Sequence, residues 1–237
     1  MNSMIHGHKS AAVRINNKKP VIFCDFDGTI TISDNIISVM RHFNPAGWED
    51  ILSEVISAKI SIKQGVGQLF ALFPSSARTD ILNYVLRNTE VRKGFMELLN
   101  YCKEQNILFL VTSGGIDFFV YPILSPYPIT TEHIFCNESD FSGETIQILW
   151  PHPCDSLCHN DCGMCKVRVI RNYPDNQYYR ILIGDSLTDF EGAKLADMVF
   201  ARSHLVDRCE ELGIAYSPYE DFLTVIEDID KKVVSSP

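Results

Sequence analysis

Apolar positions along this chain fall into two kinds of run. Short continuous runs occur at "PVIFC" (20–24), "ILFLVT" (107–112), "YRILIG" (179–184) and "MVFA" (198–201). The first three are each followed by polar or glycine residues and then by apolar positions at helical spacing. Continuous rather than alternating runs predict strands buried on both faces, hence a parallel sheet with helices on either side. Sheets of this kind hold ligands beyond the carboxyl ends of their strands. Here those ends carry "DFDGT", "TSGG" and "GDSLTD".

Between the first two runs the spacing is helical throughout. It predicts helices over 35–43 (Ile36, Ile37, Met40, Phe43), 48–56, 62–73 and 77–86, with Pro74-Ser75-Ser76 as a stop and a cap. A crossover needs only about a dozen residues beyond its strands. This insert is too long and too apolar for a loop, and reads as a small helical cap over residues 31–89. The α/β core is then residues 20–30 and 90–237, with a helix over 90–104 returning the chain to the sheet. "HIFCNESDFSGETIQILW" (133–150) reads as a hairpin turning at Ser142-Gly143. Residues 1–19 lack the apolar centre of a signal peptide and read as a disordered tail.

With 237 residues, 46% apolar and 22% charged, the composition is that of an ordinary globular chain. A net charge of -9 argues against a nucleic-acid partner, whose phosphates call for a basic face. No run of about 18 uncharged apolar residues appears, so no membrane span is expected and the cytoplasm is the default location. An acidic total leaves room for a small phosphorylated metabolite held by one or two local cations.

The strand ends concentrate the candidate chemistry. Asp25 and Asp27 stand one residue apart at the exit of the most apolar strand, where like charges raise each other's pKa unless something positive intervenes. A carboxylate there suits a nucleophile, Gly28 lets the loop curl, and Mg²⁺, which prefers hard oxygens, resolves the charge problem. Taken alone, Asp-x-Asp-Gly is also an ordinary solvated turn. Asp185 sits at another strand end, placed to complete the cation's shell. Asp189, four residues on, suits either a support for that loop or a charge favoured at a helix start. Ser113 with Gly114 and Gly115 offers a hydroxyl and backbone N–H groups to an anion. Lys166 opens the helical stretch "KVRVIRNY" just before the "ILIGD" strand and supplies a second cation.

In order and spacing, "DFDGTIT", "VTSGG", Lys166 and "GDSLTD" resemble the four motifs of the haloacid dehalogenase superfamily over Val21 to about Glu220. The resemblance implies a Rossmann-like core with Asp25 as nucleophile and Asp27 as general acid and base. It also implies phosphate binding by Ser113, Gly114 and Lys166, and Mg²⁺ held by Asp25, Asp185 and the backbone carbonyl of Asp27, with Asp189 in support. The second aspartate of the first motif marks the phosphatase branch, and a helical insert after the first strand is similar to that of the phosphoserine phosphatase group. The implied activity is hydrolysis of a small phosphomonoester. Cap residues Arg41, Lys59 and Lys63 are candidates to recognise the substrate.

Four of the eight cysteines, Cys154, Cys158, Cys162 and Cys165, crowd into "CDSLCHNDCGMCK", with His152 and His159 nearby. The spacing lies within the range of structural Zn²⁺ ligands. Reduced thiols packing a tight loop, or disulfides, are the alternatives, and a zinc-dependent interaction module is the non-catalytic reading. In each case Cys165 abuts Lys166, so an ordered loop would aim the lysine. Cys24, Cys102, Cys136 and Cys209 sit in or beside apolar segments and read as small core residues.

Overall fold

Alternate residues of the apolar runs face opposite sides of one sheet. Val21, Phe23, Leu110, Leu182 and Val199 belong to one buried cluster, while Ile22, Cys24, Val111, Ile181, Ile183 and Phe200 belong to the other. Burial on both faces is what continuous apolar strands require.

The computed structural model of the chain describes residue 15, residues 17–158 and residues 160–234. Its strands are β1 (Lys19–Cys24), β2 (Leu108–Ile116), β3 (Ile134–Asp140), β4 (Gln147–Leu149), β5 (Tyr178–Gly184), β6 (Met198–Ala201) and β7 (Ser217–Pro218). They form one sheet in the order β4-β3-β2-β1-β5-β6-β7, parallel except for the antiparallel β3 and β4 pair. The chain steps from β1 to β2 on one side and later returns to β5 on the other, so the order reverses at β1. That reversal opens a crevice beyond the strand ends.

Helices α1 (Asn35–Phe43), α2 (Trp48–Ile56), α3 (Ile62–Ala71) and α4 (Arg78–Asn88) form the insert. Asp34 caps α1 by accepting the Ile37 N–H at 2.9 Å, and Ser61 with Gln64 makes a reciprocal capping box on α3. α5 (Phe95–Gln105), α6 (Asp117–Leu124) and α10 (Phe222–Ile229) cover one face of the sheet, and α7 (Lys166–Arg171), α8 (Phe190–Ala193) and α9 (His204–Leu212) the other.

Three local expectations need correction. The returning helix begins at Phe95 rather than Glu90, because Thr31 and Val91 pair as an antiparallel bridge and Gly94 adopts φ +84° before the helix. Ser113, Gly114 and Gly115 are not a turn after β2 but part of it; the register against β3 shifts between Thr112 and Ile116, and α6 starts at Asp117. "HIFC" is more than a hairpin arm, since β3 pairs in parallel with β2 before it turns. Of the expected tail, residues 1–14 and 16 lie outside the described residues; Ile15 bridges to Lys18, and Lys19 opens β1.

Candidate active site

β1 delivers Asp25 to the crevice. Its backbone is extended (φ -68°, ψ 161°) and its N–H donates to the Ile183 carbonyl at 2.9 Å, so the residue stays anchored to β5 while its carboxylate lies beyond the sheet. Residues 26–30 then make one tight turn. Gly28 has φ +79°, and a Cβ there would lie 2.3 Å from Asp185 Oδ2, so both backbone torsion and close approach require glycine. Thr29 Oγ1 donates to Asp185 Oδ1 at 3.2 Å. The turn's outer carbonyls point to buried Arg92, whose Nε donates to Thr29 O at 2.7 Å and whose Nη2 donates to Gly28 O at 2.8 Å.

Lys166 reaches the same point from α7. Its Nζ donates to Asp25 Oδ1 at 2.6 Å, Asp189 Oδ1 at 2.5 Å and Thr188 Oγ1 at 3.3 Å. Asp189 is fully buried, and its second oxygen accepts the N–H groups of Asp185 at 3.3 Å and Ser186 at 3.1 Å. It therefore supports the Asp185 loop and pairs with the lysine at once. Carboxylate oxygens of Asp25, Asp185 and Asp189 all lie within 4.8 Å of one another.

Electrostatics here is unbalanced. Burial, and after it the Asp189 charge, pushes the Asp25 carboxyl well above its ordinary value and raises Asp185 as well. Burial alone would lower Lys166, but the Asp189 and Asp25 carboxylates outweigh it and hold the ammonium charged. Lys166 pairs with Asp25 and Asp189 and leaves Asp185 without a cation of its own, so the hard oxygens of Asp25 and Asp185 fit a divalent magnesium ion.

Asp27 stands apart from that cluster. Its Oδ1 accepts the backbone N–H of Asn35 at 2.9 Å and the Asn35 Nδ2 at 2.7 Å. Burial, with the Asp34 charge next, pushes its carboxyl up to about 7, against the pull of those hydrogen bonds. β2 closes this side: the Ser113 hydroxyl is buried and accepts the Gly115 N–H at 2.8 Å. A Cβ on Gly115 would lie 2.9 Å from Asp27 Oδ2 and from Ser113 Oγ, so glycine admits the two side chains together.

A cavity of about 160 Å³ opens beside Lys166, lined by Ile62 of α3 with Gly114, Met164, Val167, Leu187 and Thr188 among others. Of the three cations expected to recognise the substrate, Lys63 pairs with Asp161 at 3.6 Å and lies over the Trp150 ring, while Arg41 and Lys59 are exposed.

Cys154, Cys158 and Cys165 bring their sulfurs within 4.8 Å of one another, and the Cys162 N–H and thiol contact Cys154. All eight cysteines are free thiols, so the disulfide alternative does not hold. Of the two histidines, His152 accepts the Cys165 N–H through its carbonyl at 2.8 Å, and His159 lies outside the described residues. Cys24, Cys102, Cys136 and Cys209 are buried in the two core clusters.

Asn35, Arg92 and Asp161 went unread in the sequence. In sequence Asn35 only opens the helix expected over 35–43, and Arg92 only falls within the helix expected over 90–104. Only the fold shows that one meets Asp27 and the other the turn after β1.

The strand-end carboxylates, the lysine and the doubly wound sheet define a haloacid dehalogenase-type hydrolase. The chain belongs to that family: the profile of the haloacid dehalogenase-like hydrolases matches residues 22–194. It is 49% identical over 221 residues to the 2-hydroxy-3-keto-5-methylthiopentenyl-1-phosphate phosphatase of Brevibacillus brevis, covering 92% of this chain and 100% of the relative. The enzyme of that name from Geobacillus kaustophilus is 47% identical, over 92% of this chain and 98% of its own. Among solved structures, a phospho-aspartyl intermediate analogue of phosphoserine phosphatase superposes with a TM-score of 0.66 at 17% identity, over 91% of this chain and 99% of that one. At that identity the likeness concerns the fold.

Proposed function

We propose that this chain is a magnesium-dependent phosphatase acting on 2-hydroxy-3-keto-5-methylthiopentenyl-1-phosphate in methionine salvage. The products are phosphate and the acireductone 1,2-dihydroxy-3-keto-5-methylthiopentene. The observation that carries this reading is the 2.6 Å pair of Lys166 and Asp25 beside a buried carboxylate cluster, in a chain 49% identical to the full length of a relative bearing that name.

Asp25 attacks phosphorus, forming a P–O bond as the bond to the leaving oxygen breaks, and becomes an aspartyl-phosphate. Asp27 gives its proton to the leaving oxygen, then takes one from the water that releases phosphate and regenerates Asp25. Lys166, Ser113 and Gly114 hold the phosphate oxygens, Asp189 keeps Lys166 aimed, and Asn35 orients Asp27. Asp25, Asp185 and the Asp27 carbonyl would hold a magnesium ion, which would supply the positive charge that offsets repulsion between carboxylate and phosphate. The helices of residues 31–89 act as a cap. Their two connections, 30–32 and 90–92, pair with each other and form its base. Eight free thiols suit a reducing compartment, the cytoplasm.

Phosphoserine is the second substrate to consider, since the group shares this machinery. Ile62, Met164, Val167 and Leu187 give the cavity beside Lys166 an apolar wall, which suits a methylthio tail better than an ammonium and a carboxylate. Phosphate release from the two esters under equal conditions tests the assignment. The methylthiopentenyl ester should give the higher kcat/KM; faster turnover of phosphoserine would overturn it.

A further inference from the structure

The cysteine loop plays no part in the chemistry above, yet it is built with more care than packing needs. Residues 153–165 contain no helix or strand among the described residues. Irregular stretches of about this length inside a compact domain need an anchor of their own. Apolar burial supplies little of it, since Leu157 is 72% exposed and only Cys158, Met164 and Cys165 are buried among its large apolar residues.

What the loop does instead is bring sulfur to sulfur. Cys154 and Cys158 place their Sγ atoms 3.5 Å apart, too far for a bond and close to the edge of a tetrahedron of thiolates around one ion. With metal to sulfur distances of about 2.3 Å, that edge is about 3.8 Å. Cys165 lies within 4.8 Å of both, and Cys162 contacts Cys154 through its amide and its thiol. Larger aliphatic side chains would fill a core as well. Three convergent thiols, with the Cys162 thiol against one of them, offer the donor set of a soft tetrahedral cation once Cys162 swings in to complete it.

We propose that Cys154, Cys158, Cys162 and Cys165 bind one structural zinc ion, separate from the magnesium site. Binding converts the thiols to thiolates and releases their protons to solvent. The Arg168 N–H already donates to Cys165 Sγ at 3.4 Å, as second-sphere amides do to zinc-bound sulfur.

The site ties two working parts together. Cys165 caps α7 directly before Lys166, which reaches Asp25. Asp161, the residue before Cys162, accepts from the Ser61 hydroxyl at 2.7 Å and from the Lys63 N–H, through its carbonyl, at 3.2 Å. Zinc thus fixes the lysine on one side and the cap's resting place on the other. This rests on thiol geometry and holds whatever ester the enzyme hydrolyses.

Full-length protein, reduced and purified without chelator, is loaded with Zn²⁺, desalted and analysed for metal and for thiol reactivity. About one zinc per chain should remain in wild type and in Asp185→Asn, with the four loop thiols protected from a thiol reagent. The Cys154→Ser, Cys158→Ser double variant should retain less than a tenth of that zinc. Cobalt loaded in its place should give the thiolate charge-transfer absorption of a tetrahedral sulfur site. Reduced wild type that desalts free of zinc, or loop thiols equally reactive with and without it, would overturn the proposal without any variant having to fold. Loss of zinc in Asp185→Asn with retention in the cysteine variant would move the ion to the carboxylates and overturn it too.

Discussion

Asn35 donates twice to a single oxygen of Asp27, once from its backbone N–H at 2.9 Å and once from its side-chain amide at 2.7 Å. The pair is set at the first residue of α1, so the first helix of the insert between β1 and β2 also orients the proposed acid. Both hydrogen bonds favour the carboxylate, whereas burial and the Asp34 charge favour the acid, and the balance lies near 7.

That balance gives a pH prediction. Asp27 must hold its proton to protonate the leaving oxygen, so kcat should fall as pH rises through its pKa. Asn35→Ala removes one charge-stabilising hydrogen bond and should move that limb upward by roughly one pH unit. Asp34→Ser keeps a cap on α1 but removes the negative charge, and should move it downward. Rate profiles of the three proteins check the signs. The stability consequence is also signed: a carboxyl raised in the folded state costs nothing below its unfolded value near 4, and its penalty grows to full size as pH climbs to about 7. An unchanged profile in both variants would remove Asp27 from proton transfer.

Asp25→Asn should reduce turnover by about 10³-fold or more, as loss of a nucleophile does. It should not unfold the protein. Asp25, Asp185 and Asp189 crowd around one ammonium that bonds only Asp25 and Asp189, and the variant still leaves Lys166 paired with Asp189 at 2.5 Å. Removing one uncompensated buried charge relieves repulsion, so the Tm should hold or rise. Thermal melts beside phosphate-release assays separate the two effects; a collapsed Tm would show that Asp25 acts in folding.

Much of this site was legible because strand ends announce themselves. The runs that end at Cys24, Thr112 and Gly184 are apolar on both faces, and the polar residues after them have nowhere to go but the crevice. The helices 35–43 and 48–56 were readable from their own apolar spacing, a signal as local as the strand ends. Other features depend on contacts far apart in sequence. Ser113 to Gly115 looks like a turn until β3 is known to pair beside it, and the start of α5 at Phe95 is set by the bridge between Thr31 and Val91. Arg92 is separated by 128 positions from Glu220, whose carbonyl it bonds. The two-residue β7 carries too little pattern to be seen at all.

Magnesium should be visible in stability as well as in activity. EDTA should silence the enzyme and Mg²⁺ restore it, and Mg²⁺ at about a hundred times its Kd should stabilise the fold by about 2.7 kcal/mol. Asp185→Asn should abolish that shift. So should Gly28→Ala, whose Cβ would displace the Asp185 carboxylate from 2.3 Å. Melting curves with and without Mg²⁺ read this directly, and activity indifferent to both EDTA and Mg²⁺ would sink the metal assignment.

Arg92 tests whether the turn after β1 is held from behind. Its guanidinium donates to the carbonyls of Gly28 and Thr29 at 2.8 and 2.7 Å and to the Glu220 carbonyl at 3.2 Å, so one buried cation clamps the turn after β1 to the C-terminal segment. No other residue type offers three donors in a planar fork, and lysine, with a single ammonium on a different stem, cannot span the three carbonyls. Arg92→Ala leaves those carbonyls without their charged donor and should cost about 3 kcal/mol, a fall of several degrees in Tm. Arg92→Lys should recover only part of the stability. Because the turn also carries Thr29, which donates to Asp185 Oδ1 at 3.2 Å, both variants should need more Mg²⁺ for half-maximal activity. Titrating Mg²⁺ at fixed substrate, at a temperature where each variant is folded, isolates that effect. An unaltered Mg²⁺ requirement alongside a lowered Tm would confine Arg92 to holding the fold.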